Sequence, residues 1–295
     1  MPVPASPRER RTEVIRVDAH HHLWDPALAG YPWMTEERAV LRRRFGPEHL
    51  EPQLNATGVR RTVVVQARSD LEETERLLRL AAAVPFIAGV VGWVDLTSPD
   101  VRTTLRRLRA LGEGRYLVGV RHQVEDEPDP AWLRRADVRR GLLAVAEAAL
   151  VYDLLIVPQQ IPAAVATARE LPQLRFVLDH LGKPRIAARR DSEWSRAMAG
   201  FAECRNVACK LSGMVSQAGP GPLQAEDLAP FVDRARALFG DSRLLFGSDW
   251  PVCTLHASYD RVLELLRETL RLVGLPEDGP VLGENAVDVY GLGAT

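Results

Sequence analysis

Residues 14–25 read Val14-Ile15-Arg16-Val17-Asp18-Ala19-His20-His21-His22-Leu23-Trp24-Asp25. A β-branched apolar run that stops on three histidines predicts a buried strand, Val14–His20, delivering reactive side chains at its C-terminal end. Seven similar runs follow at Arg61–Ala67, Ile87–Asp95, Leu117–Val124, Val151–Pro158, Phe176–Gly182, Asn206–Gly213 and Leu244–Trp250. Segments of helical spacing lie between them, marked by Leu71/Leu77/Leu78/Leu80, Leu105/Leu108/Leu111, Phe231/Ala235/Leu238 and Leu263/Leu266/Leu270. Ser98-Pro99 and Ser258 read as helix starts. Strands alternating with helices predict parallel βα units, and near-continuous apolar strands suit a sheet covered on both faces. Eight units in 295 residues, against roughly 250 for the fold, predict an α/β protein of one domain, 1–295, built as a (β/α)8 TIM barrel. The spare length falls in the first βα segment, Trp24 to Gln53, which reads as a long loop over the mouth. Residues 1–13 read as a flexible extension. An open doubly wound sheet is the competing architecture, but no G-x-G-x-x-G follows the first strand.

Composition removes several function classes. Formal net charge is −1, from 38 basic and 39 acidic residues, with no lopsided block, so no nucleic-acid partner is expected. Cys204, Cys209 and Cys253 form no C-x-x-C pair, which makes a reducing compartment the default. Pro2 to Arg16 has no apolar segment of the kind a secretory signal needs. The longest apolar stretch, Leu142–Val157, is broken by Glu147 and Asp153 and is too short to span a bilayer. A cytoplasmic protein without a membrane partner is expected, with homo-oligomerisation left open. Only two of the 38 basic residues are lysines, Lys183 and Lys210.

In a barrel, chemistry collects where the strands end. His20, His21, His22, His122, His180 and His256 fall at or just after predicted strand ends, leaving His49 alone in the long first loop. Strand alternation sends His20 and His22 to one side, into the barrel, and leaves His21 solvated or capping. By the same rule Asp179 and His180 point to opposite faces, with His180 the inward one. Paired imidazoles can hold a metal ion or donate to a substrate carbonyl. Asp249, in Gly247-Ser248-Asp249-Trp250-Pro251, is a candidate general base; its other reading is an Asx turn. Arg121, His122 and Lys210 are candidates for gripping a hydroxylated or anionic substrate, and Arg121 or Lys210 could equally pair with an interior acid such as Asp18, Asp95 or Asp179. Trp33 and Trp93, with Tyr31 and Trp250, could wall the site or simply pack. G-x-S-x-G, the P-loop and H-E-x-x-H are all missing, so serine-hydrolase, phosphoryl-transfer and zincin chemistry fall away.

Taken in order, D-A-H-H-H-L-W-D (18–25), Y-P-W (31–33), G-V-R-H (119–122), L-D-H-L-G-K-P (178–184), C-K-L-S-G (209–213), F-G-S-D-W-P-V (246–252) and E-N-A (284–286) resemble the amidohydrolase superfamily, in its sugar-lactonase branch. The resemblance implies a hydrolase that opens the ring ester of a fucono-, rhamnono- or galactono-type lactone. It also implies that His20, His22, His180 and Asp249 occupy the catalytic positions. Arg121-His122 at strand four and Pro158-Gln159-Gln160 at strand five depart from the two-metal pattern. At most one divalent ion, zinc for preference, is then expected on His20, His22 and Asp249, with no organic cofactor. The alternatives are an amidohydrolase-type decarboxylase or a lactonase for dicarboxylated pyrone-like rings, for which Arg121 with Arg68 or Arg185 would supply the mouth cations, and a barrel that has lost catalysis.

Overall fold

A computed structural model describes residues 15–293, so the extension read at 1–13 lies outside the described residues. Eight strands pair in sequence order, each parallel to the next. They are β1 Arg16–His21, β2 Val59–Val65, β3 Ile87–Gly92, β4 Leu117–His122, β5 Val151–Leu154, β6 Phe176–Leu178, β7 Val207–Leu211 and β8 Leu244–Phe246. Main-chain bonds from His22 N to Trp250 O (2.7 Å) and from Asp249 N to His20 O (2.8 Å) bring β1 to the end of β8 and close the cylinder at its upper rim. The protein forms a TIM barrel.

The surrounding helices are α1 Pro47–Thr57, α2 Leu71–Ala83, α3 Val101–Ala110, α4 Ala136–Glu147, α5 Ile161–Glu170, α6 Ser192–Met198, α7 Met214–Ala218, α8 Ala225–Phe239, α9 Tyr259–Leu272 and α10 Glu284–Tyr290. Leu77 and Leu78 of α2, Leu105 and Leu108 of α3, Leu142 and Val145 of α4, and Leu263, Leu266 and Leu270 of α9 pack on the outside of the sheet. Each such side chain contributes about 1.5–3 kcal/mol by leaving water. The interior of the cylinder is a separate cluster of Val17, Ala19, Val63, Val65, Val91, Val151, Val177, Ala208 and Leu245, with Ala286, Val289 and Tyr290 of α10 packed into it.

Several boundaries differ from the sequence reading. Strands β5, β6 and β8 stop four residues short of the apolar runs that announced them, because those last residues peel off the ladder to build the mouth. The segment Trp24–Gln53 is not one loop. Trp24 and Phe45 exchange main-chain bonds of 3.1 and 2.9 Å across its neck, and α1 begins at Pro47. Proline suits the first helical turn, while Pro52 further on disguised the helix. Helix α3 starts at Val101 rather than Pro99, since the Ser98 hydroxyl accepts from Asp100 N (3.1 Å) in a turn ahead of the helix. Among the described residues no helix is long and apolar enough to cross a membrane.

Candidate active site

The C-terminal ends of the strands surround a cavity of about 350 Å³ lined by His22, Trp33, Arg121, His180, Lys183 and Asp249, among others. His22 lines it and His20 lies directly beneath, a placement set in β1. Asp18 pairs with Thr62 but His21 pairs with Val64, so three residues of β1 oppose two of β2. This bulge shifts the phase of the strand. Below it, the Asp18 carboxylate leaves the interior and accepts from Ser248 Oγ (2.6 Å), Ser248 N (2.9 Å), His20 N (3.1 Å) and Tyr259 OH of α9 (3.1 Å). Burial pushes the Asp18 pKa up to about 6 against those hydrogen bonds. Above the bulge, His20 and His22 turn inward. His21 is not solvated, as alternation suggested, but fully buried against Thr62 Oγ1 (2.9 Å), and burial pushes its pKa down to about 3.

Asp249 meets the two imidazoles from the far end of β8. His20 Nε2 and His22 Nε2 lie 3.2 Å apart, and Asp249 Oδ1 is 3.8 Å from the first and 3.5 Å from the second. His22 Nδ1 lies 2.8 Å from Val65 O, which can only accept, so Nδ1 carries the proton and Nε2 turns a lone pair to the cavity. Burial lowers the His20 and His180 pKa values, keeping both rings neutral. Burial also opposes the Asp249 charge, yet His180, His22 and Lys183 hold its carboxyl below the ordinary range. His180 completes the group. Its ring centroid is 4.6 Å from that of His20, and its Nδ1 is 2.8 Å from Ser212 Oγ.

Backbone geometry here is strained. His180, Leu181, Lys183 and Asp249 all have φ between 53° and 57°, a left-handed conformation costing roughly 1–2 kcal/mol per L-residue. Two glycines make room for the imidazoles. A Cβ on Gly213 would stand 2.6 Å from His180 Nδ1, and one on Gly247 would stand 2.6 Å from His20 Cβ.

Under this group lies a sealed ionic floor. Lys210 Nζ pairs with Asp153 and, at 3.0 Å, with Asp179 Oδ1, all three side chains being fully buried. Asp179 also binds Arg121 (3.0 Å) and stands 3.3 Å from His20 Nδ1. Tyr290 OH donates to Asp153 at 2.9 Å, tying α10 to the floor. Burial drives Asp153 up to about 6. Burial works the same way on Asp179, but Lys210, His20 and Arg121 together hold it well below the usual carboxylate range. Two cations balance two anions, as a buried set requires.

The floor corrects several expectations. Asp179 does not point away from His180's side. Val177 lies in the cylinder's interior, so alternation carries Asp179 inward with it, and the left-handed turn that begins at His180 (φ 54°) brings that ring to the same side. Lys210 is committed beneath the cavity and does not reach its surface, so the ion-pair reading of this residue fits. Arg121 lines the cavity but is likewise paired. His122 and Trp93 lie outside the cavity lining. Trp93 Nε1 donates to His122 Nδ1 (3.0 Å), His122 Nε2 reaches Glu127 (2.7 Å), and the imidazole stacks on Trp132 at 4.4 Å. Trp33 does line the cavity, its indole N–H held by Ala67 O at 2.9 Å. The sequence reading passed over Ser248 and Ser212, which carry no distinguishing signal, and Glu125 and Lys183, of which only the rarity of lysine gave notice.

The three donors His20 Nε2, His22 Nε2 and Asp249 Oδ1 suit a metal. A tetrahedral ion with bonds of about 2.0–2.1 Å sets its ligands roughly 3.3 Å apart, close to the separations here. All three residues are buried, and they can hold a divalent ion.

Comparison with known proteins agrees with this architecture. The Amidohydrolase family profile matches residues 17–292. An L-fucono-1,5-lactonase of Burkholderia ambifaria is 41% identical over 282 residues, covering 94% of this chain and 95% of that protein. An L-fucono-1,5-lactonase of Burkholderia multivorans is 39% identical over 262 residues, covering 85% and 87%. Crystal structures of an amidohydrolase from Burkholderia multivorans, one with bound HEPES and one with bound zinc, superpose with a TM-score of 0.87 at 37% identity, over 95% of this chain and 100% of theirs. With its barrel, its mouth of histidines and carboxylate, and a match running nearly end to end, this chain belongs to the amidohydrolase family.

Proposed function

We propose that the protein hydrolyses the ring ester of a sugar-acid lactone of the L-fucono-1,5-lactone type. The observation that carries this reading is the meeting of His20 Nε2, His22 Nε2 and Asp249 Oδ1 within 3.8 Å of one another, in a chain 41% identical to an L-fucono-1,5-lactonase.

Ester hydrolysis needs an attacking water, relief for the charge growing on the carbonyl oxygen, and a proton for the leaving oxygen. Asp249 is ionised at neutral pH and accepts the proton of the attacking water on its carboxylate, a contribution of roughly 10²–10⁴-fold for a positioned base. The same carboxyl then delivers that proton to the ring oxygen as the C–O bond breaks, leaving a hydroxy acid. His180, buried and pinned by Ser212, faces the developing oxyanion; loss of one such group costs about 2.7–4 kcal/mol in the barrier. His20, His22 and Asp249 would hold the metal ion, zinc being the natural choice for this donor set, and the ion would supply Lewis-acid polarisation of the carbonyl. Arg121, through Asp179, holds the His20 ring from below, and Trp33 gives the sugar ring an apolar wall.

The arginines that a dicarboxylated ring would need are not gathered at the cavity. Arg121 is paired with Asp179 (3.0 Å), and Arg68 and Arg185, paired with Asp70 (3.1 Å) and Asp191 (3.2 Å), do not line it. The lining sets Arg38, Arg121 and Lys183 against Glu125, Asp126 and Asp249, a balanced set that suits a neutral polyhydroxylated lactone. A lactone panel read by a pH indicator, with and without chelator, tests the proposal. Acid release from L-fucono-1,5-lactone, reduced by chelator and restored by zinc, is expected. Turnover of pyrone dicarboxylates in preference to sugar lactones would overturn it.

A further inference from the structure

The cavity contains one charged pair to which the hydrolytic steps assign no contact with substrate, Lys183 acting there only through its field on Asp249. Lys183 Nζ bonds to Glu125 Oε2, joining the turn after β6 to the turn after β4. Both side chains line the cavity beside His180 and Asp249, and both keep about a fifth of their surface open, 21% and 20%. Their backbones are anchored. Lys183 N donates to His180 O (2.8 Å), so the lysine and the histidine belong to one turn, and Glu125 N donates to Leu155 O (3.1 Å) just beyond β5. The pair therefore stands at a fixed offset from the reacting atoms, on the mouth side of them.

Resting on the lactonase reading, we propose that Glu125 and Lys183 form a clamp for two neighbouring hydroxyls of the lactone ring and so set the specificity of the site. An ammonium donates only, and a carboxylate accepts only. Side by side they match a vicinal diol, in which one hydroxyl accepts from Lys183 Nζ and the next donates to a Glu125 oxygen. Charged partners make these hydrogen bonds stronger than neutral ones. A bare ring that displaces water from the pair gives nothing back, which turns a binding contact into discrimination. Asp126, beside Glu125 on the same turn, adds a second acceptor that also repels a carboxylated ring. Lys183 is thereby separated from Lys210, the other lysine, whose ammonium is sealed in the floor.

The test compares two six-membered lactones, L-fucono-1,5-lactone and the hydroxyl-free δ-valerolactone, on wild type, Glu125→Gln and Lys183→Met, with folding checked by circular dichroism. The ratio of kcat/KM between the two lactones is expected to fall roughly 10–100-fold in either variant, chiefly through KM for the sugar lactone. The double variant is expected to lose little more than the worse single one, because the two groups act as a unit. An equal fractional loss on both lactones, leaving the ratio at its wild-type value, would show a general electrostatic role and overturn the clamp, as would no loss at all. Should wild type turn δ-valerolactone over too slowly to measure, calorimetric binding of L-fuconate against 5-hydroxyvalerate reads the same ratio. A wild-type enzyme that hydrolyses neither lactone overturns the parent reading and the clamp with it.

Discussion

The two ends of the same eight strands are built from different chemistry. Below, Val17, Val63, Val91, Val151 and Val177 fill the cylinder with stiff apolar side chains, and α10 packs against them. Above, the same strands end in His20, Arg121, Asp153, Asp179 and Lys210, all buried and nearly all charged or titratable. The lower end is stable by transfer of apolar surface and has no residue whose identity must be kept beyond size and shape. The upper end is stable only as a complete set. Each of its ions depends on another, and four left-handed residues store strain beside it. Apolar filling tolerates loss in small steps; an ionic floor loses everything that one member supported.

Four substitutions would break or sharpen that contrast. The largest effect is expected from Asp249→Asn, which keeps the shape but removes the proposed base and metal donor: kcat should fall by about 10³-fold or more, while the urea unfolding midpoint stays near wild type. Lys210→Met, at the floor, should cost about 3–5 kcal/mol of stability by leaving buried Asp153 without a cation and Asp179 with Arg121 alone. On the metal-binding reading it should also weaken zinc retention in a chelator competition, since one of the two cations that position Asp179 beside His20 Nδ1 is gone. Gly213→Ala forces its Cβ onto His180 and asks alanine to adopt φ 64°. Steady-state kinetics should show kcat lower by roughly 10–100-fold, the size of loss a small displacement of a reacting group brings. The smallest effect belongs to the lower end, where Val63→Ala should cost about 1–2 kcal/mol in urea titration with kcat within twofold of wild type. If Val63→Ala damaged catalysis as strongly as Gly213→Ala, the two ends would not be separable in the way described.

Much of this was legible before any coordinates. The strands announced themselves because a sheet covered on both faces needs unbroken apolar runs, and the histidines gathered at their ends because a barrel exposes only those ends to substrate. That logic singled out His20, His22, His180 and Asp249, and the structure brings these four side chains together. What escaped it depended on departures from regularity. The β1 bulge, which sends Asp18 outward and His20 inward, has no sequence mark, since Val-Asp-Ala-His alternates as well without it. Asp179 was assigned to the wrong face because His180, taken as the inward residue of the strand, reaches the site through a left-handed turn, whereas Asp179 follows Val177 inward. His122 was drawn into the candidate list by its neighbour Arg121, yet alternation on β4 turns it toward Trp93, Trp132 and Glu127 instead. Lys210 could be read either as a substrate hand or as an ion-pair partner until Asp153 and Asp179 were seen beside it.

The uneven fate of the two lysines has a practical side. Lys210 is closed off completely, while Lys183 keeps about a fifth of its surface open at the cavity. Apart from the α-amine of the chain, an amine-directed reagent thus finds a single side chain to acylate, and it sits where a sugar would enter. A small fluorophore placed there under mild conditions would report occupancy of the barrel without any engineered cysteine, and protection of that amine by a bound polyol would be visible in a simple labelling-rate measurement.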